Sequence, residues 1–382
     1  LDVNAIEKSL NSIILRHQSV RTRFVKLLNN PVQYIETEFH LNLKVEDYSE
    51  SLTHQTDQQK SRFLELKVAE EASTGFDLSV DIPIRVTLLK FSAVENVLLM
   101  TLHHIASDGW SLGILFKELA QYYSAYQHNK IPQLDPLSIQ YADFSCWQRN
   151  NVNNQLYDVQ LDYWVEQLRD LPRLNIAEDY SRPPVQTYHG GMVTTRLNAS
   201  LTRSLSTLSV ENDVTLFMTM LSVYAILMQR YSGQDDIVIG TPIANRNREE
   251  LESMIGFFVN MLVLRAPLSG NPEFITLLKR IQQMTLQAYQ HQDLPFEKLV
   301  ESIQPERDRS RNPLFQFMFV LQNAPMEPLE LEGLSLTPLT DLLQATRFDI
   351  ECHIRHAGEE LDILLMYNID LFSRQRIEQM LE

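Results

Sequence analysis

The sequence predicts a mixed α/β protein of two lobes, and three observations carry that expectation. Its 382 residues suffice for two domains of ordinary size, about 150 to 200 residues each. Short apolar runs alternate with helical patterns in both halves of the chain. Between them lies LPRLNIAEDYSRPPVQTY, which holds Pro172, Pro183 and Pro184 and shows no period. We therefore expect a first lobe over 1–172, a linker over 173–187 and a second lobe over 188–382.

In the first lobe, Ile6, Leu10, Ile13 and Ile14 recur at helical spacing and open the chain with an amphipathic helix. Val20, Thr22 and Phe24 then alternate with Arg21 and Arg23, as in a strand with one charged face. Further strands are expected over 32–36, 84–91 and 97–104, and helices over 55–73, 111–127 and 154–171. Ser111 stands where it would cap the second of these helices. In the second lobe the pattern predicts strands over 191–197, 235–246, 261–268, 314–322, 347–355 and 361–369. Helices are expected over 201–210, 215–231 and 272–290.

Composition excludes several classes of function. The balance of 33 Lys and Arg against 49 Asp and Glu gives a net charge of −16, which argues against nucleic acid or an anionic membrane as partner. Two cysteines, Cys146 and Cys352, are too few for a disulfide framework and fit a reducing cytoplasm. The longest apolar run, Leu216 to Met228, is broken by Thr219 and Ser222 and is too short to span a bilayer. No signal peptide is seen, and the chain begins with Leu inside a helical pattern, as an excised piece of a longer cytoplasmic polypeptide would.

The richest chemistry lies in LLMTLHHIASDGWSLGIL, where a buried strand gives way to a turn and a helix. Loops on a rigid scaffold commonly carry functional groups. Successive strand side chains point to opposite faces, so His103 and His104 are poor joint metal ligands, and no third His or Cys stands at ligand spacing. One histidine should point inward and form a hydrogen bond; we assign that role to His103 and leave His104 on the open face. Asp108 is expected to hold the turn through an arginine, with Arg21 the candidate, and not to react. Gly109 would let a substrate approach the backbone, and Trp110 is expected to pack.

HHIASDGWS resembles the HHxxxDG signature of the condensation domains of nonribosomal peptide synthetases, a family related to chloramphenicol acetyltransferase. RHQSVRTRF (16–24), IQYADFSCWQ (139–148), YHGG (188–191) and IVIGTPIANR (237–246) resemble further family motifs, in order. So do IGFFVNMLVLR (255–265), HQDLPFEKLVE (291–301) and RDRSRNPLFQFMFVLQN (307–323). The resemblance covers essentially the whole chain, except for the family's first motif. Gln18 and Met261 depart from the usual Glu and Thr.

The resemblance implies two acetyltransferase-like lobes in a V-shaped pseudo-dimer with a central tunnel. It implies an acyltransferase that forms peptide bonds between substrates held as thioesters on phosphopantetheine arms. Those arms would belong to an upstream donor and a downstream acceptor carrier domain, with an adenylation domain adjacent. The domain itself would bind no metal or cofactor. His104, Gly109 and Asn260 would serve catalysis, His104 as base or as positioner, and Ser310 would touch substrate. His103, Asp108, Arg21 and Trp110 would be structural. IASDGWSLGIL resembles the class joining an L-donor to an L-acceptor. An epimerisation domain, a heterocyclisation domain, a free-standing acyltransferase and a non-catalytic recruiting module are the alternatives. The NPLFQFMF segment and the Trp after Gly109 speak against the first, the intact histidine pair against the second and fourth, and the complete motif series against the third.

Overall fold

The computed structural model describes residues 1–151, 155–305, 308–322, 329–337, 339 and 345–382. In chain order its elements begin with α1 (Val3–Arg16), β1 (Thr22–Leu27), β2 (Asn30–Ile35), β3 (Lys44–Asp47), α2 (Ser49–Leu52) and α3 (Asp57–Ser73). There follow β4 (Ile84–Lys90), β5 (Asn96–Leu102), α4 (Gly109–Gln127), α5 (Tyr141–Asn151), α6 (Gln155–Gln167) and β6 (Gly190–Leu197). Next come α7 (Ala199–Glu211), α8 (Leu216–Ser232), β7 (Asp236–Ile243), α9 (Glu249–Glu252) and β8 (Asn260–Pro267). The chain closes with α10 (Phe274–Gln290), α11 (Phe296–Ile303), β9 (Phe317–Gln322), β10 (Ile350–Ala357), β11 (Glu360–Asn368) and α12 (Arg374–Leu381).

Two compact units result, neither contiguous in sequence. The first takes in 1–150, 246–258 and 324–343, and the second takes in 151–245, 259–323 and 344–382. The break expected at 172 therefore falls inside the second unit. The reason is packing: Tyr157, Trp164 and Leu168 belong to that unit's core, and Trp164 Nε1 donates to the carbonyl of His291 at 2.8 Å. The start expected for this helix, Asn154, lies outside the described residues.

In the first unit, β3, β4 and β5 form one sheet and β1 and β2 a separate hairpin. Alternation along β5 places Leu98, Met100 and Leu102 against a core of Ile6, Leu10, Ile84, Val86, Leu115 and Ile255. Val97 and Leu99 go to the other face, against Leu52, Leu89 and Phe91. Helix α3 buries no side chain fully; Phe63 and Leu64 rest half-buried against Leu52, Leu89 and Phe91. It is fixed at its start by a capping box, Thr56 with Gln59.

In the second unit, one six-stranded mixed sheet runs β6-β11-β10-β9-β7-β8. Its β7 pairs antiparallel with β8 from Asp236↔Pro267 to Ile243↔Asn260, and β9 pairs parallel with β10. Gly358, at φ +66°, makes the tight β10–β11 turn in a conformation that side chains disfavour. Helices α8 and α10 bury Leu221, Ala225, Met228, Leu277 and Ile281 in this unit's core. Among the described residues no single helix is long and apolar enough to cross a membrane.

Candidate active site

Strand β5 ends at Leu102, two residues earlier than the apolar run predicts, because the chain turns on His103. The His103 N–H still bonds the Pro83 carbonyl (3.0 Å), but its own carbonyl accepts from Ala106 N–H (3.0 Å) and its Nδ1 from Ile105 N–H (3.0 Å). Its ring lies edge-to-face with Phe76, centroids 5.8 Å apart, on the face of β5 that also carries Thr101. His103 is thus the inward histidine, though half-buried rather than sealed in a core. Burial lowers its pKa, with the neighbouring His104 acting in the same direction.

His104 is exposed. Its Nδ1 lies 2.7 Å from the carbonyl oxygen of Ser107. A carbonyl only accepts, so Nδ1 carries a proton, and in the neutral imidazole the lone pair is on Nε2. Such an imidazole presents a basic nitrogen outward. Phe257 packs against it edge-to-face, centroids 5.2 Å apart.

Asp108 fixes the turn from beneath, with its side chain fully buried. It is the N-cap of α4, accepting from Ser111 N–H at 2.9 Å. Ser111 is therefore not the cap, as its position in the pattern suggests, but the capped residue. Its hydroxyl bridges Asp108 (2.8 Å), the Gly256 carbonyl (2.9 Å) and the Gly256 N–H (3.1 Å). The second carboxylate oxygen of Asp108 accepts from Phe258 N–H at 3.0 Å.

The arginine facing Asp108 is Arg246, not Arg21. Arg246 Nη2 stands 3.1 Å from Oδ1 and 3.4 Å from Oδ2, with both side chains buried. Arg246 also donates to the carbonyls of Leu251 and Met254 and lies 4.1 Å over the ring of Phe258. Burial lowers its pKa, against the pull of Asp108. Arg21 instead donates to the carbonyl oxygens of Glu36 and Leu15, at the mouth of the β1–β2 hairpin. Both arginines occur in quoted motifs, and only the fold of 246–258 onto the first unit separates them. Trp110 packs as expected, its Nε1 donating to the carbonyl of Glu252 (3.0 Å). Gly109 opens α4, and a Cβ there would meet nothing within 4 Å.

Two residues expected at the chemistry have structural roles. Asn260, the first residue of β8, is buried, and its amide donates to the carbonyls of Gln292 (2.9 Å) and Leu294 (2.8 Å) while its oxygen accepts from Phe296 N–H (3.0 Å). Both amide hydrogens are thereby committed, and the side chain pins the turn before α11. Ser310 is also buried. Its hydroxyl donates to Asp308 (2.6 Å), and its carbonyl accepts from Arg182 (3.2 Å), which pairs with Asp349. It holds a turn in the second unit. Arg307 and Asn323, the ends of the motif around it, lie outside the described residues.

Sequence reasoning missed Tyr141, Arg246 and Phe257. It also missed a buried triad in which His17 Nε2 faces Glu118 (2.9 Å), Arg16 bonds the same carboxylate (2.8 Å), and His17 Nδ1 accepts from Ile255 N–H (3.2 Å). Among the described residues, no group of three His, Cys, Asp or Glu stands together as a metal site.

A family model described as "Condensation domain" matches residues 1–382. One component of the linear gramicidin synthase of Brevibacillus parabrevis is 41% identical over 385 residues, covering 100% of this chain and 5% of that protein. For two further components of the same synthase the share of the relative is 8% and 7%, so the chain spans only a small part of these relatives. Among solved structures, the X-domain from teicoplanin biosynthesis matches with a TM-score of 0.89 and 27% identity, over 100% of this chain and 85% of that one. The first condensation domain of the calcium-dependent antibiotic synthetase, in complex with a substrate analogue, shares the fold at a TM-score of 0.79 and 15% identity, over 99% and 86% of the two chains.

Proposed function

Since the chain belongs to the condensation-domain family, acyltransferases that form amide bonds, we propose that it forms a peptide bond in nonribosomal peptide synthesis. The acceptor is an aminoacyl group on a downstream carrier domain, the donor an aminoacyl or peptidyl group on an upstream one, and both are L-configured. Each substrate is a thioester of phosphopantetheine supplied by the carrier. An adenylation domain stands adjacent in the same synthetase. The central tunnel through which the two arms would meet is part of this proposal.

One observation carries the reading: His104 is exposed, with Nδ1–H committed to Ser107 and Nε2 without a hydrogen-bond partner among the described residues. The acceptor amine attacks the thioester carbonyl carbon, a C–N bond forms, and the C–S bond breaks. The amine proton passes to Nε2 and on to the departing thiolate, so the imidazole ends neutral. A positioned base of this kind contributes about 10² to 10⁴ in rate. His104→Ala should therefore lower single-turnover dipeptide formation between two loaded carrier domains by that factor, with an unchanged melting temperature. Unchanged yield would sink the assignment.

A second reading is a recruiting module. It draws on the likeness to the X-domain from teicoplanin biosynthesis, which is also known in complex with OxyB. The two readings part in the same assay, since a recruiting module gives no dipeptide from wild-type protein.

A further inference from the structure

We infer that Phe257 is a positioning residue for His104, holding the imidazole so that Nε2 points in one direction. This rests on the reading of His104 as the reacting group. The hydrogen bond from Nδ1 to Ser107 is the single polar contact of the imidazole among the described residues. The only aromatic ring packed on it among the described residues is that of Phe257, centroids 5.2 Å apart and planes 76° apart.

The backbone carrying Phe257 is bolted on both sides. Gly256 N–H donates to the Ser111 hydroxyl (3.1 Å), and Phe258 N–H donates to Asp108 (3.0 Å). The carbonyl of Phe257 itself accepts from the Tyr141 hydroxyl at 2.8 Å. A Cβ at 256 would lie 2.4 Å from the Tyr141 ring, so only glycine lets that tyrosine come so close. The neighbouring Phe258 turns into a buried cluster with Tyr141 and Phe144, centroids 5.2 and 4.7 Å away. Phe257 is the half-buried member of the pair, and its ring goes to His104.

Asp108 is common to both sides of this contact. It follows the Ser107 carbonyl that holds Nδ1, and it holds the Phe258 N–H that orients Phe257. The histidine turn and the 256–258 loop are thereby set from one carboxylate. A residue placed this way acts on the turnover step and not on carrier binding.

The test combines histidine-selective NMR with single-turnover kinetics on the whole domain, using carriers loaded with L-amino acids. His104 signals are assigned through His104→Ala. Phe257→Leu should broaden or shift the His104 ring signals. It should also lower kcat by about tenfold to a hundredfold, the size of loss that small misplacements of reacting groups produce. KM for the acceptor carrier should not change, and Phe257→Tyr should restore both readouts. Phe257→Met, which removes the ring and leaves a flexible apolar side chain able to fill the gap, serves if the leucine variant does not fold. Unaltered His104 signals, an effect confined to KM, or a tyrosine variant as poor as the leucine one would each overturn the inference. If wild-type protein makes no dipeptide while the His104 signals respond to Phe257→Leu, the proposed reaction fails and the positioning role stands.

Discussion

Removing Arg246 leaves the Asp108 carboxylate buried without its counter-charge. The carboxylate keeps three donors: the Ser111 N–H and hydroxyl and the Phe258 N–H. It loses the guanidinium at 3.1 Å, and the carbonyls of Leu251 and Met254 lose their donor as well. Breaking a buried pair of this kind costs about 3 to 5 kcal/mol, and the three surviving donors place Arg246→Ala near the lower end, about 3 kcal/mol. For a unit of this size each kcal/mol lowers the melting temperature by about 2 to 4 °C, so the expected drop is about 6 to 12 °C. Thermal and urea unfolding of Arg246→Ala, Asp108→Ala and the double variant measure it through a double-mutant cycle. The pair should couple strongly, whereas Arg21→Ala should be additive with Asp108→Ala. A loss below about 1 kcal/mol for Arg246→Ala, or strong coupling to Arg21, would refute the reasoning, since a desolvated pair cannot be broken so cheaply.

His103 accepts the Ile105 N–H on Nδ1 and has its pKa lowered by burial, so the unfolded chain takes up its proton more readily than the folded one. Its contribution to stability is present above the ordinary histidine value of about 6.5 and is lost as pH falls through that value toward the lower folded one. His103→Asn should flatten that part of a stability profile measured between pH 5 and 8, a window chosen for the assay around the roughly neutral titration of histidine; an unchanged slope counts against it. Asn260→Ala strips partners from the carbonyls of Gln292 and Leu294 and from the N–H of Phe296, and should cost about 2 to 3 kcal/mol in denaturant unfolding. Where the variant remains folded its turnover should be close to normal, and a folded but inactive Asn260→Ala would return that residue to the chemistry.

Period and turn chemistry made most elements legible. The apolar pattern of residues 6–14 maps onto α1, and Thr215 caps α8 where the predicted helix begins. Which histidine lies outward is set by the turn after Leu102: His103 still bonds the Pro83 carbonyl through its N–H, while His104 lies past the end of the strand and is exposed. Short elements escaped because they hold too few residues for a period: β3 has 4 residues, α11 has 8 and α12 has 8. The partner of Asp108 escaped for another reason. A buried aspartate calls for an arginine, but spacing cannot say which one when the true partner is 138 residues away. Asn260 and Ser310 likewise sit in motifs, and only their hydrogen-bond partners reveal that they are structural.

The first unit reaches forward in the chain for part of its own interior. Ile255 fills its core, with its N–H held by His17 and its carbonyl by the Ser19 hydroxyl, and Leu331 fills it again 76 residues later (331 − 255). A growing polypeptide cannot close this unit when residue 150 leaves the ribosome, for the seat of Ile255 stays vacant until β6 and β7 of the following sheet have also been made. The amino-terminal half must wait, partly assembled, for the carboxy-terminal half. The same dependence bears on recombination between synthetases. A crossover near 172 would join residues 1–150 of one parent to residues 246–258 of another, and so mismatch His17 with Ile255 and Asp108 with Arg246 in a single exchange. Exchanges that carry both segments together keep each arginine, histidine and aspartate with the partner it was selected beside.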